Sequence, residues 1–173
     1  GADPEDCART VRAAAEAGLS GCTIEDTTRD GAAPIHDFDQ AVARIRAAVA
    51  AARALPHPFV LTARAENFLH GRPDLEDTIR RLVAFAEARA TCLYAPALPD
   101  MAAIRKVVAA VAPKPVNVLM GPRSGLVPPG RFIAILEETG LIYDVGRWAL
   151  RRSIEDTLRW RAARALALLG DGT

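Results

Sequence analysis

Long apolar runs are absent from this 173-residue chain: no stretch approaches the ~20 residues that cross a bilayer, so no membrane span is expected. No secretory leader is visible, and the expected location is the cytoplasm. An excess of either charge is also absent. Lys and Arg number 22 against 21 Asp and Glu, a net charge of +1, which leaves no electrostatic footprint for nucleic acid. Lysine is nearly missing, with only Lys106 and Lys114, so arginine carries the positive charge. Cysteine is scarce. Cys7, Cys22 and Cys92 are odd in number and lack ligand spacing, which excludes a disulfide framework and a cysteine metal site. Cys22 and Cys92 fall inside apolar runs and are expected in the core. There is no glycine-rich phosphate loop; GPRSG at 121–125 is too short and lacks the lysine. His36, His57 and His70 are too dispersed for a ligand set, and His70, near the end of the FLHG turn, is expected as a solvated loop residue.

What the chain does have is a rhythm. Four apolar runs, Gly21–Asp26, Phe59–Glu66, Thr91–Pro96 and Val116–Gly121, each end in a polar or charged tip and are each followed by a helix-patterned segment. This is the pattern of a parallel βα array, buried in the middle and reactive at its strand ends. Helix starts are marked by Asp3-Pro4, Asp37, Asp74 and Asp100, and stops by Gly18, Pro56 with Pro58, and Pro113 with Pro115. Half of the residues are hydrophobic and a quarter charged, which is ordinary globular composition. After Gly121 the rhythm fails. A Pro/Gly-rich stretch leads into two helix patterns, Pro129–Thr139 and Asp144–Leu169. Four strands are too few for a closed barrel, which needs about 250 residues. The expected fold class is therefore α/β: a partial TIM-like barrel of four parallel βα units in residues 1–122, then a helical tail, 123–173, packed on the same core.

Ligands of such sheets bind beyond the carboxyl ends of the strands. Glu25 and Asp26 close the first run, and paired carboxylates at a strand end suit Mg²⁺, a hard cation that prefers oxygen. Helix capping or a surface ion pair is the plainer alternative. Arg64 ends the second run two residues before Glu66, and its planar fork fits a carboxylate or phosphate. An ion pair of Arg64 with Glu66 or Glu25 is the alternative, and the two roles are compatible. Asn117, inside the fourth run, faces one side of the sheet or the other.

The stretches DPEDCARTVRAAAEAGLSGCTIED, IHDFDQAVARIRAAV, FVLTARAENFLHGRPDLEDTIRRLVAF and KPVNVLMG occur in order from Asp3 to about Pro122. Together they resemble the isocitrate lyase/phosphoenolpyruvate mutase superfamily. The resemblance implies a Mg²⁺-dependent TIM-like barrel that cleaves or rearranges C–C or P–C bonds beside an oxyacid. It places Glu25 in the metal's acidic shell and gives Arg64 and Glu66 the catalytic roles. Arg64 and Asn117 then contact a small substrate, a phosphonate or α-keto acid. Three departures qualify this. The family's Asp-x-Asp strand is not in this chain, so weak metal binding and little turnover are expected. The lyase branch's Lys-x-Cys-Gly-His loop is replaced by TTRDGAAPIHD, which favours a mutase-like or hydrolase-like branch. The helix before the third strand ends Ala88-Arg89-Ala90-Thr91 where the family has Ala-Gly-Ala-Asp. The stretch from Gly125 to Trp160 resembles a different family, the segment following the signature of an EAL-type cyclic-di-GMP phosphodiesterase, without that signature or its metal ligands. The chain thus reads as a join of two incomplete barrels near Gly121–Gly125. A non-catalytic scaffold is the alternative function, and an EAL-type nucleotide binder a further one. Two unpaired sheet edges favour self-association, so a homodimer is expected.

Overall fold

The computed structural model describes residues 3–28 and 30–119. The chain divides into two units, Gly1–Leu126 and Val127–Thr173, and the described residues lie in the first. Helices and strands alternate as α1 (Pro4–Glu16), β1 (Gly21–Glu25), α2 (Phe38–Arg53), β2 (Val60–Arg64), α3 (Leu75–Glu87), β3 (Cys92–Tyr94), α4 (Met101–Val111) and β4 (Val116–Asn117). The strands form one sheet in sequence order, all parallel. The expected α/β class and its four parallel βα units are observed. The tail helices expected at 129–139 and 144–169 lie outside the described residues, as do the last two residues of the fourth run.

Local chemistry explains the boundaries. Each helix opens on an aspartate whose carboxylate accepts a first-turn backbone N–H: Asp3 from Glu5 at 2.8 Å, Asp37 from Gln40, Asp74 from Asp77 and Asp100 from Ala103. Gly18, at φ +84°, closes α1 in the left-handed conformation that favours glycine. The same turn at the end of α3 is made by Arg89, at φ +71°. A close approach demands Gly21: a Cβ there would lie 2.5 Å from the Val60 carbonyl oxygen. Glycine lets β1 begin against β2.

The core lies on one face of the sheet. Ile24, Ala63, Leu93 and Val116 form one register row. With Leu61 they pack against Val11, Ile45, Val49, Leu82, Phe85 and Val107 of the four helices. The alternate residues are more open, with Thr23 and Val60 exposed and Thr62 and Cys92 half-buried. Two-sided burial, read from the apolar runs, is therefore replaced by strict alternation. Cys22 packs against the core as expected, whereas Cys92 lies half-buried beside Thr62 on the other face. The strands are shorter than the runs. β2 leaves the sheet after Arg64, β3 has 3 residues and β4 has 2. The remaining residues of each run turn away to build the loops at the carboxyl rim. Among the described residues no helix is long and apolar enough to cross a membrane.

Candidate functional site

The register gives the site its shape. Glu25 pairs with Arg64, Arg64 with Tyr94, and Tyr94 with Asn117, so four strand-end residues stand in one row on the face opposite the core. Arg64 is the hub. Its Nε donates to Glu66 Oε1 at 2.7 Å, its Nη2 lies 3.6 Å from Glu25 Oε2, and its guanidinium sits 5.0 Å from the centre of the Tyr94 ring. The Glu66 side chain is 1% exposed, Arg64 23% and Glu25 45%. Asn117 is exposed at the far end of the row. It lies two strands from Arg64, about 10 Å at the usual strand spacing. Sequence left its face open; the register puts it on Arg64's face.

The expected Glu25–Asp26 pair does not form. Neighbours in an extended chain project to opposite sides, and Asp26 turns inward, where it is 2% exposed. Its Oδ1 accepts the Glu66 backbone N–H at 2.9 Å and its Oδ2 accepts Arg81 Nη1 at 3.1 Å. Arg81 also donates to the His36 carbonyl and, through Nε, to Asp77 Oδ2 at 2.7 Å. Asp77 accepts from Asn67 Nδ2 as well. This buried network joins the tip of β1, the loop before α2, the loop after β2 and helix α3. It holds Glu66, and through it Arg64, in place. A second tie joins the rim loops: Thr27 Oγ1 and His70 Nε2 are 3.1 Å apart. His70 is thus half-buried and bonded, not the solvated residue expected.

Sequence reasoning missed Tyr94, Arg81, Thr27 and His70 as parts of one assembly. Tyr94 reads as an ordinary core aromatic, and Arg81 as one charge in a helical Arg-Arg pair. Only cross-strand register shows otherwise.

Residues 1–139 match the family described as phosphoenolpyruvate phosphomutase. The chain belongs to that family. A crystal structure of a candidate lyase/mutase from Burkholderia cenocepacia J2315 is 56% identical, with a TM-score of 0.70 over 73% of this chain and 45% of that one. Oxaloacetate acetylhydrolase in complex with its product oxalate is 31% identical, with a TM-score of 0.59 over 67% of this chain and 40% of that one. A phosphonopyruvate hydrolase complexed with oxalate and Mg²⁺, 19% identical with a TM-score of 0.57 over 84% of this chain and 56% of that one, shares the fold. The chain thus spans 45% of the first of these relatives and about half or less of the others. Short stretches also match curated proteins, among them signaling protein YkoW of Bacillus subtilis (strain 168), 43% identical over 42 residues, 24% of this chain and 5% of that protein.

Members of the phosphoenolpyruvate mutase superfamily invite a test for a metal. Among the described residues, no three His, Cys, Asp or Glu side chains gather into a metal-binding group. Asp26 and Glu66 are each buried and each engaged by a guanidinium. Glu25 alone remains open enough to offer an oxygen, which fits a hard cation that keeps most of its waters.

Burial drives the acid groups apart. It raises the Glu66 carboxyl, against the lowering effect of the Arg64 hydrogen bond and charge. It raises Asp26 too, against the Glu66 N–H and Arg81. At Asp77 burial also raises the pKa, but hydrogen bonds from Arg81, Arg80 and Asn67 outweigh it and hold the carboxyl at about 2. A depressed acid stabilises the fold above its unfolded pKa and loses that contribution as pH falls through the folded value. Asp77 is therefore expected to supply about 2 kcal/mol that disappears between roughly pH 4 and pH 2. Urea unfolding at pH 4 and pH 2 measures this. Asp77→Asn should lower stability at pH 4 and flatten the decline; an equally steep decline in the variant would reject the assignment.

Proposed function

We propose that the carboxyl rim binds a small oxyacid, a phosphonate or α-keto acid, with Arg64 holding its acid group and Asn117 its far end. The observation that carries this reading is the crowding of Arg64 by Glu25 and Glu66. One positive and two negative charges leave the site net negative. A dianion entering it would meet repulsion from Glu25, so binding needs a cation. Mg²⁺ meets that need, and Glu25 would be its protein ligand, with ligand oxygens and water completing the shell. Bound there, the metal would neutralise charge and polarise the oxyacid. Arg64 would orient the acid group through its Nη edge, since Nε is taken by Glu66. Glu66 would fix the guanidinium plane, and Tyr94 would support it from beneath. Oxalate bound by two superfamily relatives supports the ligand class.

With a single open carboxylate among the described residues, this chain is read as a binder with little turnover. Its Gly125–Trp160 stretch, by likeness to an EAL-type segment, would be a piece of another family; the short matches to signaling proteins support that reading. Calorimetric titration with oxalate tests the rim. Affinity is expected to rise at least tenfold when millimolar Mg²⁺ is added. Equal affinity with and without Mg²⁺, or no heat in either case, would reject the proposal.

A further inference from the structure

A second cavity lies at the opposite end of the sheet. It has a volume of about 420 Å³ and sits between the ends of α2 and α3 and the starts of β2 and β3. Leu55, Phe59 and Leu61 supply apolar walls, while Arg53, His57 and Arg89 supply basic groups. No aspartate or glutamate lines it. Neither arginine is ion-paired among the described residues. His57 Nδ1 donates to the Pro58 carbonyl at 3.2 Å, which fixes the ring against the cavity wall. Phe59 precedes β2 and Arg64 ends it, so about 17 Å of strand separates this cavity from the rim.

Arg89 adds a separate observation. It holds φ at +71°, a conformation that costs a residue with a Cβ and suits glycine. The helix is closed there by backbone bonds alone, Arg89 N to Ala86 O and Ala90 N to Phe85 O. Glycine would make both bonds without strain. What the strained residue adds is a guanidinium at the mouth of a cavity already basic. Backbone strain held beside a cavity points to a ligand.

We propose that this cavity is a binding site for an amphipathic anion: an aromatic or branched aliphatic body in the apolar pocket, with its carboxylate, sulfonate or phosphate held by Arg53 and Arg89. Cations near helix ends also offset carbonyl charge, and the experiment separates the two roles. The full chain is titrated with 8-anilinonaphthalene-1-sulfonate and its fluorescence followed. Saturable one-site binding is expected, unaffected by oxalate with Mg²⁺. Arg89→Gly and Arg53→Gln should each weaken the probe about tenfold, the loss of one charge-assisted contact. Arg89→Gly should meanwhile leave the thermal midpoint unchanged or raise it by up to about 3 °C, so lost binding is not lost folding. Probe affinity within twofold of wild type in both variants, or displacement of the probe by oxalate with Mg²⁺, would overturn the proposal.

Discussion

Arg64→Gln is expected to weaken oxalate binding in Mg²⁺ about 100-fold, close to 2.7 kcal/mol. The variant loses the charge-assisted contact to the acid group and the order that Glu66 and Tyr94 impose on it. Its stability should change with a definite pH signature. Glu66 is buried, and Arg64 is what holds its raised carboxyl down. Without Arg64 that carboxyl titrates higher still. The folded state then keeps a proton that the unfolded state gives up near pH 4, so stability falls as pH rises from there through the folded pKa. Arg64→Gln should resemble wild type at pH 4 and be weaker by about 2–4 kcal/mol at pH 8. Adding Glu66→Gln should restore most of the stability and none of the binding. Urea unfolding at the two pH values, beside calorimetry, reads both. A variant equally stable at pH 4 and pH 8, or one that binds oxalate normally, removes Arg64 from the role given to it.

Arg81→Met is expected to cost more. Arg81 donates to Asp26, Asp77 and the His36 carbonyl, and both it and Asp26 are almost wholly enclosed. Removing one partner of a buried pair leaves the other charge stranded, at about 3–5 kcal/mol. That is a large share of the 5–15 kcal/mol typical of a domain, and roughly 10 °C of melting temperature at this size. Arg81→Lys should rescue little, because a compact ammonium cannot span three acceptors set by a planar fork. Asp26→Asn in the Arg81→Met background should recover part of the loss, since a neutral amide can still accept the Glu66 N–H. Thermal unfolding decides: a melting point for Arg81→Met within 2 °C of wild type would mean that the network does not hold the rim.

Much of the fold was legible because it is written locally. The aspartates at 3, 37, 74 and 100 announced four helices, and all four cap them. The apolar runs announced four parallel strands. Arg64 with Glu25 and Glu66 was read as one cluster, and the distances place them together. What escaped was lateral. Asp26 was paired with Glu25 because they adjoin in sequence, but adjacency along a strand means opposition across it. Tyr94 joins the row because β3 lies beside β2 in a fixed register, and nothing within a three-residue strand states its neighbour's register. Arg81 lies 55 positions from Asp26, and no local pattern links them.

The capping aspartates carry one more implication. In a βα array the helices following β1, β2 and β3 start at the carboxyl rim, and each start is a patch of partial positive charge able to attract a passing anion. Asp37, Asp74 and Asp100 silence those patches one by one with their own carboxylates. An incoming acid therefore meets few decoys on its way across the rim, and the lone guanidinium at 64 becomes its destination by default.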